Sequence, residues 1–140
     1  MSARKDTIKY RKGYKYQLAE LYFRQTDIYP QEDVITDFIV LGKTGGLYIS
    51  AGYAWDGASG PTFDSACTMR PCLVHDALYQ LMRMGLLPGS ARRKVDELLY
   101  TDLRDDGMSW ARAQLWHHAV RRYAAGAADP SSLRKIYTAP

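Results

Sequence analysis

The order of apolar and polar positions divides the chain near residue 50. Before it, the two-residue period of strands prevails. Tyr14-Lys15-Tyr16-Gln17-Leu18 alternates, and Glu20-Leu21-Tyr22-Phe23-Arg24 does so less cleanly. The run Val34-Ile35-Thr36-Asp37-Phe38-Ile39-Val40-Leu41 is rich in β-branched and aromatic residues. Lys43-Thr44-Gly45-Gly46 supplies a turn before Leu47-Tyr48-Ile49-Ser50. These segments predict a small antiparallel β meander.

After a glycine-rich stretch at 51–64 the period becomes helical. Leu73, Ala77, Leu78 and Leu81 recur at the spacing of one helix face, which predicts a helix from about 65 to 84. Gly85 and then Pro88-Gly89 end it, and Ser90 is the expected N-cap of a second helix to about 105. That helix sets Val95, Leu98, Leu99 and Leu103 on one face. Asp105-Asp106-Gly107 closes it, and Ser109 is placed to cap a third helix reaching about Tyr123. The stretch from 125 to 140, rich in Ala, Pro and Ser, is expected to be loosely held. Strands, then a Gly/Pro loop, then three helices make an α+β arrangement, with no repeat or linker to split residues 1–140 into more than one domain.

Composition narrows the class rather than the function. A chain of 140 residues can bury a core without disulfides or a structural metal. No apolar run approaches the roughly 18–20 residues that cross a bilayer, and the polar start does not read as a secretory signal. The expectation is a soluble product of the cytoplasm. Cys67 and Cys72 stand five apart in the first helix, about 140° around its axis, a poor geometry for a disulfide. The net charge of +4 is concentrated at the start, where Arg4, Lys5, Lys9, Arg11, Lys12 and Lys15 face only Asp6 within residues 1–16. Such an end can sit on phosphates but is more often a solvated terminus, so nucleic-acid binding ranks last among the readings.

The residues with chemical content cluster around the change of period. The loop Trp55-Asp56-Gly57-Ala58-Ser59-Gly60-Pro61 combines a carboxylate with glycines that let carbonyls converge, which suits a hard divalent cation. Alone, it is also ordinary turn chemistry. His75-Asp76 follows on the first helix, where neighbouring positions point about 100° apart, so one can face a substrate while the other faces the loop. Tyr79 lies one turn on from His75 and shares its face. The second helix carries Asp96, and a short connection at 84–90 could set it against His75. A buried carboxylate accepting from one imidazole nitrogen fixes the tautomer and leaves the other as a general base. On the third helix, Trp110, Trp116, Arg112, Arg121 and Arg122 would suit a lipid headgroup region, although Leu115 and Val120 suggest ordinary packing. His117 and His118 are adjacent and cannot share one metal from one face.

Asp56-Gly57-Ala58-Ser59-Gly60-Pro61, His75-Asp76-Ala77-Leu78-Tyr79 and Arg92-Arg93-Lys94-Val95-Asp96 together resemble the bacterial and fungal branch of the phospholipase A2 superfamily, over residues 56–100. More closely, Gly52-Tyr53-Ala54-Trp55-Asp56-Gly57-Ala58-Ser59-Gly60-Pro61 and His75-Asp76-Ala77-Leu78-Tyr79 resemble a family of uncharacterised tailed-phage and prophage proteins, over about 8–125. The phospholipase resemblance implies a phospholipase A2-like helical half and a calcium-dependent lipid esterase. His75 would be the general base, Asp96 would orient it, and Tyr79 would brace Asp96. Asp56, Gly57, Ser59 and Asp76 would hold the calcium ion. The chain departs from that branch at Ala58, where the branch has a cysteine, and in lacking its disulfides and signal peptide. The phage resemblance implies synthesis in a bacterial host cytoplasm, with association with the virion as a further expectation. Two functions follow: an esterase whose partner is membrane phospholipid, or a non-enzymatic virion, tail or host-interaction protein in which the same residues form a structural core.

Overall fold

The computed structural model describes residues 8, 10–11, 16–55 and 66–132. Within them the chain is α+β, antiparallel strands followed by three main helices. The strands are β1 (Tyr10–Arg11), β2 (Tyr16–Leu18), β3 (Tyr22–Gln25), β4 (Val34–Ile35), β5 (Ile39–Leu41), β6 (Gly46–Ile49) and β7 (Ala54–Trp55). They form two antiparallel sheets, one of order β1-β2-β7 and one of order β3-β6-β5-β4.

Two features differ from the sequence expectation. The run 34–41 is not one strand but the hairpin β4–β5. Thr36 breaks it: its hydroxyl accepts from the Ile39 N–H and donates to the Ile39 carbonyl, both at 2.9 Å, a local bond that competes with continued extension. Nor is the larger sheet a plain meander. β4, β5 and β6 run as neighbours, but β3 pairs with β6 rather than with β4, as in a Greek key. The long connection between β3 and β4 is pinned where Thr26 donates from both its N–H and its hydroxyl to the Gly45 carbonyl, each at 2.8 Å. Gly45 must be glycine there: its φ is +92°, and a Cβ would collide with that Thr26 carbonyl oxygen.

The helices are α1 (Ala66–Arg83), α2 (Arg92–Asp105), α3 (Trp110–Tyr123) and the short α4 (Ala125–Ala128). α1 ends in a Schellman motif. Gly85, at φ +73°, donates to Met82 O, while Leu86 donates to Leu81 O. Ser109 caps α3 by accepting from the Arg112 N–H at 3.3 Å. Ser90 does not cap α2. The Ala91 N–H instead donates to Pro88 O, which winds 89–91 into a 3-10 turn, and α2 starts at Arg92 with no side-chain cap. Residues 125–132 form α4 and a further 3-10 turn, with Ala128 buried and Ala127 O accepting from Arg83; residues 133–140 lie outside the described residues.

α1 is buried nearly all round, which is why its sequence shows only a blurred apolar stripe. On one side Leu73, Ala77, Leu78 and Leu81 share a core with Leu18, Ile39, Leu41, Leu47 and Ile49 of the sheets. On the other, Cys72 joins Leu99, Leu103, Met108, Ala113 and Trp116 in a second cluster with α2 and α3. The sheet and helices are also tied by charge. Arg24 of β3 donates to Asp102 of α2 at 2.6 Å, and Arg70 of α1 forks onto Asp106 while donating to Tyr22 OH at 3.1 Å. Burial raises the Asp102 carboxyl above the ordinary carboxylate range against the pull of both arginines.

Candidate functional site

The site lies on the seam of α1 and α2. The pairs Arg70–Asp106, His75–Asp96 and Tyr79–Arg92 step in opposite senses along the two helices, so they run antiparallel, as the short connection requires. His75 and Tyr79 stand one turn apart on α1 with ring centroids 4.1 Å apart. The sequence placed these two residues and Asp96 together, and the structure does so. His75 Nε2 lies 2.8 Å from Asp96 Oδ1, and Tyr79 OH donates to the same oxygen at 2.6 Å.

Asp96 is fully buried, which by itself disfavours its charge. Burial pushes the carboxyl up, but hydrogen bonds from His75, Tyr79 and Arg121 outweigh it and hold Asp96 below the usual range. It is therefore an anion at neutral pH and can only accept. The proton of the His75–Asp96 bond thus sits on Nε2, and in the neutral ring Nδ1 is the nitrogen carrying a lone pair. His75 is 8% exposed, a narrow access. Tyr79 is held protonated by burial and by its bond to Asp96, which raises its hydroxyl well above the ordinary tyrosine range.

Two arginines complete the cluster, and neither was given a role there from sequence. Arg121, from the last turn of α3, donates to Asp96 Oδ2 at 2.8 Å. Arg92, one turn before Asp96 on α2, donates from Nε to Tyr79 OH at 3.1 Å and from one terminal nitrogen to Val120 O and Arg121 O, each at 2.8 Å. The i,i+4 spacing of Arg92 and Asp96 was legible in the sequence. Arg121 had no such signal, because only the packing of α3 brings it to Asp96.

The proposed cation ligands are divided. Asp56, Gly57 and Ser59 lie outside the described residues. Asp76 is half-buried on α1 beside His75. Among the described residues no group of three or more His, Cys, Asp or Glu side chains could hold a metal ion. The described donors, with one carboxylate at Asp76, do not by themselves fit calcium. The third helix is mixed: Trp116 is buried and Val120 packs against the second cluster, as ordinary packing would have it, whereas Leu115 does not pack and is exposed with Trp110 and Tyr123. Among the described residues no helix is long and apolar enough to cross a membrane.

Comparison of the chain with family models, curated proteins and solved structures gives no match.

Proposed function

We propose that this chain is a phospholipase A2-like carboxylic ester hydrolase of phage or prophage origin, with His75 as general base. The observation that carries the reading is the 2.8 Å contact of His75 Nε2 with the buried, ionised Asp96. In such a pair the carboxylate fixes the tautomer and stabilises the imidazolium that forms when Nδ1 takes a proton from water. The hydroxide so generated attacks an ester carbonyl, and the proton returns from Nδ1 to the leaving alkoxide. Tyr79, held protonated, braces Asp96 Oδ1. The ester class, a membrane phospholipid, rests on the loop and helix motifs at 56–61 and 75–79. Calcium belongs to the same reading through Asp56, Gly57, Ser59 and Asp76, and no step above runs through it.

The test is fatty-acid release from phospholipid vesicles of several headgroups, with calcium and with EDTA. Release that depends on His75 is the expected result; no release from any headgroup in either condition refutes the reading.

One observation favours a second function. Asp96, on α2, accepts from α1 and α3 at once, and His75 is nearly enclosed. A non-enzymatic virion, tail or host-interaction protein could keep this cluster as a structural node. On that reading His75→Gln lowers the melting temperature and abolishes no activity.

A further inference from the structure

The carboxylate of Asp96 is used from both sides. Oδ1 takes His75 and Tyr79, while Oδ2 takes Arg121. Rotation about the Cβ–Cγ bond of an aspartate is broad and roughly two-fold, so bonds to Oδ1 alone do not fix the plane of the group. A bond on Oδ2 does. Arg121 makes that bond from the last turn of α3, and Arg92 holds the turn in place through the carbonyls of Val120 and Arg121. Arg92 also reaches Tyr79 OH, which itself donates to Asp96. The bonds therefore close a circuit through three helices: Arg92 to Tyr79, Tyr79 to Asp96, Arg121 to Asp96, and Arg92 to the backbone of Arg121's own turn.

We propose that Arg121, anchored by Arg92, is the positioning residue that presents Asp96 to His75, so that α3 is required for a competent His–Asp pair that α1 and α2 alone would leave unaligned. The proposal rests on reading that pair as hydrolytic. Charge strengthens it. A fully buried carboxylate needs compensation, and the guanidinium of Arg121 on Oδ2, with that of Arg92 at 3.7 Å from the same atom, supplies it. Arg121 is the more accessible of the two, its side chain 29% exposed against 16% for Arg92. It can therefore be changed with the lesser cost to the core.

The experiment compares wild type, Arg121→Met and Arg121→Lys in the full chain. Methionine keeps an apolar stem without a donor, and lysine restores a charged donor. Two quantities are read: the downfield proton NMR signal of the His75 Nε2–H bonded to Asp96, observed without substrate, and kcat and KM for vesicle hydrolysis. Arg121→Met is expected to lose the downfield signal and roughly 10–100-fold in kcat, with KM little changed, the loss typical of residues that orient a reactive ligand. Arg121→Lys is expected to recover both. A role confined to tying helices together would lower the melting temperature of Arg121→Met but leave its signal and its kcat intact. That outcome, or equal impairment of Arg121→Met and Arg121→Lys, overturns the proposal. Arg92→Met, which releases the last turn of α3, is expected to weaken the same signal. Its full retention there overturns the proposal even if Arg121→Met does not fold. Absence of turnover in wild type would remove the hydrolase reading and leave the proton signal to decide this one.

Discussion

At the scale of single residues, Asp96 decides more than any other side chain. Its charge is tolerated only because His75, Tyr79 and Arg121 all donate to it. Asp96→Asn would turn one acceptor into a donor facing those donors and leave Arg121 uncompensated. The expected loss is about 3–5 kcal/mol, measured by denaturant unfolding. The same bonds set a pH dependence. Because the folded carboxyl titrates below its unfolded value, its stabilisation is complete above the unfolded pKa of about 3.9 and is lost as pH falls through the lower folded value. The melting temperature of wild type is expected to fall on acidification below about pH 4 more steeply than that of Asp96→Asn. A parallel fall in both would contradict this. Sequence alone reached His75, Tyr79 and Asp96 because helical spacing and a short connection put them on facing surfaces. It gave no role in the site to Arg121, since nothing local links residue 121 to residue 96.

At the scale of elements, sequence periodicity identified the three helices and most strand material, yet it joined β4 and β5 into one strand. The apolar pattern on either side of Thr36 suits a strand, whereas the reversal is closed by Thr36, whose backbone N–H and hydroxyl both bond to Ile39. Thr36→Val keeps the shape and removes both hydroxyl bonds, so a loss of about 1 kcal/mol is expected by thermal or denaturant unfolding. A neutral result would mean that the hairpin is set by its strand contacts instead. Pairing of β3 with β6 was equally hidden, because order within a sheet depends on contacts distant in sequence. Gly45 carries that arrangement at the turn between β5 and β6. Gly45→Ala is expected to cost about 2 kcal/mol or more, the strain of a positive φ together with a collision against backbone. An unchanged melting temperature would show that the turn relaxes freely.

At the scale of the whole molecule, the β half serves the site by burying one side of α1, while α2 and α3 cover the other. Continuity between the halves rests on a shared apolar core and on the ion pairs of Arg24 and Arg70 with Asp102 and Asp106, of which Arg70 and Asp102 are buried. A double-mutant cycle on Arg24→Met and Asp102→Asn is expected to give a coupling above about 1 kcal/mol, as for other contacting residues; near-additive losses would show the ion pair to be incidental. The outer face of the larger sheet sets Phe23, Tyr48, Val40 and Ile35 in one row across four strands. The loop at 56–61 lies outside the described residues, so the proposed chemistry stands on the side chains of the helices. In that chemistry His75 is a base held for hydrolysis by Asp96. The most direct measurement is the rate of fatty-acid release from phospholipid vesicles by wild type and by His75→Gln, each verified as folded by its melting curve. The expected outcome is release by wild type and a fall of about 100-fold or more in the variant. Equal rates in the two proteins, or no release by a folded wild type on any headgroup with calcium or EDTA, would contradict it.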